Sequence, residues 1–144
     1  MTEITEIISN SEEETTQVGI TIAKSLTGDE LIPIIGELGV GKTVLVRGIA
    51  RGMGYDGRVR SPSYTIERVY DTPSGELHHW DLYRLSGTSE VEPLFDQIRM
   101  QKGVRVVEWG ERLDEFLSGS VEIIEMHYTE SIEKRIIRIC RTQK

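Results

Sequence analysis

Eight consecutive residues, Gly36-Glu37-Leu38-Gly39-Val40-Gly41-Lys42-Thr43, satisfy every fixed position of the phosphate-binding loop pattern G-x-x-x-x-G-K-[ST]. No other feature constrains the fold as tightly, because the pattern needs a strand before it and a helix after it. Glycines at 36, 39 and 41 permit backbone conformations that a β-carbon would block, so successive N–H groups can converge on a β-phosphate. Lys42 is placed to reach the β/γ oxygens. Thr43 opens the following helix, with a hydroxyl suited to Mg2+ and a helix N-terminus suited to an anion.

The flanking sequence meets both requirements. Leu31-Ile32-Pro33-Ile34-Ile35 is an apolar run of strand length, and Leu45, Val46, Ile49, Ala50 and Met53 recur at helical spacing. Pro33 removes an N–H from a central strand, which predicts a bulge or an unpaired donor position there.

Elsewhere, Ser11 and Glu14 have capping-box spacing, predicting a helix to about Leu26 that stops at Gly28. Residues 64–70 and 77–85 read as two strands around the turn Thr72-Pro73-Ser74-Gly75. Ser89 and Glu92 form a second capping box, opening a helix with Leu94, Phe95 and Ile98 on one face and Gly103 as terminator. Residues 104–107 make a short strand ending in Glu108-Trp109, residues 112–117 a short helix, and residues 121–128 and 135–139 a strand pair. Crossovers mixed with hairpins predict an α/β fold over residues 1–144 as one domain. The expected architecture is a P-loop NTPase-like three-layer sandwich with a mixed, partly antiparallel central sheet.

The formal charge of −7 disfavours a surface devoted to gripping nucleic acid. Between Leu38 and Ile66, however, Lys42, Arg47, Arg51, Arg58 and Arg60 oppose only Asp56, a local net of +4. Such a patch is either a solvated helix face with phosphate neutralisation or a docking surface for an acidic partner or an RNA backbone. Cys140 is the only cysteine, which fits a reducing compartment and the role of a small hydrophobe. No apolar stretch has membrane-spanning length and the N-terminus lacks a signal pattern, so a soluble, cytoplasmic protein without a membrane partner is expected.

A phosphate loop needs an acid near the Mg2+ it binds. Glu108, at the end of an apolar strand, is the preferred metal-side residue, and Asp81, after His78-His79-Trp80, is the second choice or a catalytic helper. His78 and His79 are expected on opposite faces of a strand, and Trp80 and Trp109 as packing residues. The guanine-specificity run N-K-x-D is absent, and no lid insertion for a small-molecule kinase is evident. An ATPase or an ATP-dependent switch remains.

Four separated segments carry a family resemblance: the phosphate loop, Ser61-Pro62-Ser63-Tyr64-Thr65-Ile66, His79-Trp80-Asp81-Leu82-Tyr83-Arg84-Leu85 and Val107-Glu108-Trp109. In this order they resemble the bacterial TsaE family, small ATPases needed to make threonylcarbamoyl-adenosine beside the anticodon of tRNA. The resemblance implies ATP and Mg2+ as ligands and weak hydrolysis by the isolated chain. It also implies the TsaB and TsaD proteins as partners, through which tRNA is engaged indirectly. It implies a nucleotide-sensitive loop containing Ser61, Ser63 and Thr65, metal contacts from Thr43 and Glu108, and support of hydrolysis by Asp81. Lys42, Asp81 and Glu108 are thus the candidate catalytic set. The nucleotide-binding set is residues 36–44, ending in Val44, with Ser11, Thr15 and Arg135 near the base. A rival expectation is a non-catalytic module in which ATP is a structural or switching ligand. Val40, Val44, Ser63-Tyr64, Pro33 and Trp80 depart mildly from the family pattern, and none of them removes a proposed ligand.

Overall fold

The computed structural model describes residues 2–62, 66–85 and 87–144. In chain order the elements are β1 (Glu3–Ser9), α1 (Glu12–Lys24), β2 (Leu31–Ile35), α2 (Lys42–Gly52), β3 (Glu67–Thr72) and β4 (Gly75–Asp81). There follow α3 (Thr88–Met100), β5 (Val104–Glu108), a 3-10 helix (Gly110–Phe116), β6 (Ser120–Tyr128) and β7 (Arg135–Gln143). The seven strands form one sheet in the order β1-β7-β6-β2-β5-β4-β3. Its centre is parallel, β6, β2, β5 and β4 running together, and its margins are antiparallel, the β3–β4 hairpin on one side and the β6–β7 hairpin with β1 added to β7 on the other. The expected mixed sheet between helical layers is therefore the architecture found.

Two apolar clusters make the layers. On one face α1 and α2 cover β2 and β5 through Ile22, Leu45, Val46, Ile49, Ile32, Ile34 and Val106. On the other, α3 and the 3-10 helix cover Trp80 and Val107 with Val91, Ile98 and Leu113. α1 and α2 approach so closely at Gly19 and Gly48 that a β-carbon at Gly19 would lie 2.8 Å from the Gly48 Cα. Arg105, although buried, is fully engaged: its guanidinium donates to the carbonyls of Ile98, Gly103 and Asp29 and so closes the C-terminal end of α3.

Several local expectations are met. Ser11 is the N-cap of α1 and accepts from the Glu14 N–H at 3.1 Å, while the Glu14 carboxylate reaches back to the Asn10 N–H at 3.0 Å. β3 and β4 pair around the turn as a hairpin, and β6 pairs with β7.

Pro33 causes no bulge, sitting in register opposite Val107, and takes the other form expected of it, a position where no donor is used. The Arg105 N–H donates to the Glu30 carbonyl, so by the alternation of a parallel ladder Ile32 and Ile34 face β5 while the nitrogen of Pro33 faces β6, where pairing begins only at Ile34. Others are corrected. The second strand of the hairpin ends at Asp81 rather than running to Leu85, because the Asp81 carboxylate accepts from the Tyr83 N–H at 2.9 Å and turns the chain outward. Ser89 is not a cap: the cap lies two residues earlier, at Gly87 with φ 82°, and α3 opens at Thr88 without a side-chain cap. Strand β1 went unassigned from sequence. The segment from residue 64 to Ile66 is not strand where it is described; Ser63, Tyr64 and Thr65 lie outside the described residues.

Candidate nucleotide site

β2 lies between β6 and β5, so the phosphate-loop sequence leaves the sheet at the C-terminal edge of its parallel centre. Ligands of open α/β sheets bind at that edge. The same parallel register sets Asp81 beside Glu108, and Glu108 beside Ile34, at the loop's base. Two acids distant in sequence thereby reach one place.

Gly39 and Gly41 have φ of 77° and 117°, the left-handed region that favours glycine. Gly36 is required by space instead, since a β-carbon there would lie 2.8 Å from Val40 Cγ1 and 2.9 Å from the Met126 carbonyl oxygen. The loop is tied down from the β6–β7 hairpin. Tyr128 donates to the Leu38 carbonyl at 2.7 Å, Arg135 donates to the Val40 carbonyl at 2.9 Å, and the Arg135 guanidinium lies 4.6 Å from the Tyr128 ring centre. α2 then begins with no side-chain cap and no acid in its first turn. Its leading N–H groups and dipole are available to an anion.

A cavity of about 450 Å³ opens beside the loop, lined by Lys42, Thr43, Ser61, Asp81, Glu108 and Trp109, among others. The Lys42 ammonium is folded inward, donating to the Gly36 carbonyl and, at 3.1 Å, to that of Glu37, and it lies 4.1 Å from the Trp109 ring centre. Burial pushes its pKa down, against the opposing charges of Glu108, Glu111 and Asp81. Thr43 donates to Glu108 Oε2 at 2.9 Å. Ser61 donates to Asp81 Oδ2 at 3.1 Å, which ties the start of the 61–65 segment to the site. Ser63 and Thr65 of that segment lie outside the described residues.

A second cavity of about 290 Å³ lies across the loop and shares Gly39, Gly41, Val44 and Glu12 with the first. Ser11, Thr15 and Arg135 line it, so the structure brings these three together with the loop. Their polar groups are committed within the protein, however. Thr15 bonds Ser9 at 2.7 Å, Ser11 caps α1, and Arg135 serves loop and hairpin carbonyls. Beyond those three, this cavity offers a ligand the backbone of the loop, the apolar Val40, Val44 and Ile132, and the acids Glu12 and Glu133.

Three contributors escaped the sequence reading. Trp109 is not only a packing residue: it stands at φ 59°, ψ 41°, walls the cavity, and lies 5.0 Å from Tyr83, ring centre to ring centre. Holding a residue with a β-carbon in that conformation costs about 1–2 kcal/mol. Its place immediately after Glu108 was the available signal. Glu12 lines both cavities, and His79, wholly buried, lies 2.5 Å from Glu108. By contrast Arg58 and Arg60 line a separate groove with Arg68, so the sequence-local basic patch is not one surface with the phosphate loop.

The oxygen donors fit Mg2+. Thr43 and Glu108 are hydrogen-bond neighbours, Asp81 is next in register, and no group of three or more His, Cys, Asp or Glu among the described residues is arranged to hold a metal. A hydroxyl beside a carboxylate suits a cation that takes one or two protein ligands and completes its shell with phosphate and water.

Fold and loop together define a P-loop-like α/β protein with acids gathered at the loop's base. The family model described as threonylcarbamoyl adenosine biosynthesis protein TsaE matches residues 9–137. The chain belongs to the TsaE family. It is 43% identical over 98 residues to the tRNA threonylcarbamoyladenosine biosynthesis protein TsaE of Streptomyces coelicolor, covering 66% of this chain and 66% of that protein. With the protein of the same name from Treponema pallidum it shares 33% identity over 135 residues, 90% of each chain. The crystal structure of Bacillus subtilis YdiB superimposes with a TM-score of 0.79 at 26% identity, covering 98% of this chain and 87% of that one. No described helix is long and apolar enough to cross a membrane.

Proposed function

We propose that this chain binds and hydrolyses ATP with Mg2+ and acts, with the TsaB and TsaD proteins, in threonylcarbamoyl-adenosine modification of tRNA next to the anticodon. The tRNA is engaged indirectly, through that complex. The observation that carries the reading is the convergence of Lys42, Thr43, Asp81 and Glu108 on one cavity that adjoins, across the loop, a second cavity of a size and place suited to the base.

Lys42 holds the central role. Its ammonium leaves the Gly36 and Glu37 carbonyls to meet phosphate oxygens, and there stabilises charge developing on the transferred group. Mg2+, when bound, neutralises β- and γ-phosphate charge. The Thr43 hydroxyl and the Glu108 carboxylate hold its side of the site, and Asp81 orients the 61–65 segment through Ser61. Phosphate charge also replaces the protein carbonyls around a buried ammonium, relieving the desolvation that lowers the Lys42 pKa.

One observation favours a second reading, in which ATP is a switching ligand and turnover is incidental. Lys42 is already enclosed by carbonyls and an indole ring, so binding a phosphate requires it to exchange these partners. Measuring ATP hydrolysis by the purified chain with and without TsaB and TsaD separates the two. A coupled enzyme accelerates when the partners are added; an unchanged rate rejects the coupled ATPase.

A further inference from the structure

Adjacent residues on a strand project to opposite faces, and β4 uses this to give its two histidines different roles. His78 bonds Glu67 at 3.0 Å and the Lys102 carbonyl at 3.0 Å, a structural set. His79 is completely buried, with Nε2 2.5 Å from Glu108 Oε2 and Nδ1 without a hydrogen-bond partner among the described residues. The same Oε2 accepts the Thr43 hydroxyl at 2.9 Å. Oε1 of Glu108 accepts no hydrogen bond among the described residues, and Glu108 lines the cavity.

The unpartnered Nδ1 distinguishes between the two tautomers of the ring. If Nδ1 carried the proton, a buried N–H would lack an acceptor and the lone pair of Nε2 would face a carboxylate oxygen. A neutral ring protonated at Nε2 avoids both costs: it donates to Oε2 and leaves only a bare lone pair in the apolar surround. Two donors, from β4 and from the first turn of α2, then hold one carboxylate oxygen while the other stays available to the site. As filler for an apolar core, an imidazole with an unsatisfied nitrogen is a poor choice beside leucine or phenylalanine.

We infer that His79 is a positioning residue for the metal side of the site: its Nε2–H clamps Glu108 Oε2 so that Oε1 is presented to a nucleotide-bound divalent cation. The inference rests on the ATP and Mg2+ reading above. Partners that orient a metal-binding carboxylate are worth about 10–100-fold in metal affinity.

The test is a titration of a non-hydrolysable ATP analogue into the purified chain, with and without Mg2+, for the parent, H79L, H79Q and H79N. The expected result is that H79L keeps the metal-free affinity within about threefold of the parent and loses about 10–100-fold of the Mg2+ enhancement. H79Q, whose amide nitrogen falls near the position of Nε2, recovers most of the enhancement. H79N, whose amide falls near Nδ1, does not. Should H79L fail to fold, the Gln and Asn variants decide alone, and an equal Mg2+ response in the two overturns the inference. So does an H79L chain with the parent's Mg2+ response, or one weakened equally with and without the metal, which marks a purely structural histidine. A parent chain whose nucleotide affinity ignores Mg2+ instead removes the reading on which the inference stands.

Discussion

Substituting Gly48 by alanine tests whether the smaller cavity beside the loop is held in shape by the α1–α2 contact. An added β-carbon would lie 2.9 Å from the Gly19 Cα, 2.9 Å from the Thr16 carbonyl carbon and closer still to the Thr16 carbonyl oxygen. All three are backbone atoms of α1, so no rotamer change makes room and the helices must part. Overpacking of this kind costs about 1–3 kcal/mol, and a backbone obstacle belongs in the upper half of that range. The gain in helix propensity from Gly to Ala returns about 1 kcal/mol, leaving a net loss of about 1–2 kcal/mol. With a urea m-value of about 2 kcal/mol/M, the unfolding midpoint falls by about 0.5–1 M. Because α1 also carries Ser11 and Thr15, its displacement widens the smaller cavity, so affinity for an ATP analogue falls with it. Gln17→Ala, on the exposed face of the same helix, is the control and stays within about 0.5 kcal/mol of the parent. A G48A chain whose midpoint equals or exceeds the parent's refutes the reasoning at its first step.

Lys42→Ala abolishes hydrolysis and weakens ATP binding with the fold largely intact by circular dichroism; near-normal turnover rejects the role given to its ammonium. Glu108→Ala lowers the Mg2+-dependent part of ATP affinity more than the metal-free part, and a parent-like Mg2+ titration rejects its place on the metal. Hydrogen exchange across residues 61–65 slows with a non-hydrolysable ATP analogue and less with ADP, since Ser61 is already anchored to Asp81 beside the cavity; equal protection in both states marks a static segment. Reversing Arg47 and Arg51 to Glu, one turn apart on α2, leaves isolated ATP affinity nearly unchanged but weakens binding to TsaB and TsaD. Unchanged partner affinity shows these arginines to be merely solvated.

What the sequence made legible was local. The loop, the strand before it and the helix after it follow from glycine spacing and a contiguous apolar pattern, and the β3–β4 turn is written in Thr72, Pro73, Ser74 and Gly75. β1 was not legible, because its ladder pairs Glu3 with Arg141 and Ser9 with Arg135, nearly the whole chain away. Its isoleucines gave no single buried face either, Ile4 and Ile8 being exposed while Ile7 packs toward the core. The candidate site divides in the same way. Lys42 and Thr43 are fixed by the loop itself, and the acids by their places at strand ends.

The remaining site features depend on register, which no short segment encodes. Asp81 and Glu108 become neighbours only because β4 and β5 run parallel with Leu77 opposite Val104, and that same register brings His79 within reach of Glu108. A slip of β4 by one residue would turn Asp81 and His79 to the opposite face of the sheet and leave Glu108 behind. The buried apolar residues of β4 and β5, Leu77, Trp80, Val104, Val106 and Val107, therefore specify the site as well as the core, by making every other register costly. Trp109 carries the argument one residue further. Its left-handed backbone is the step at which β5 leaves the sheet, and that turn sets the indole between Lys42 and the edge of the second apolar cluster. The strain at Trp109 and the enclosure of Lys42 are thus one local event, set by where the strand stops.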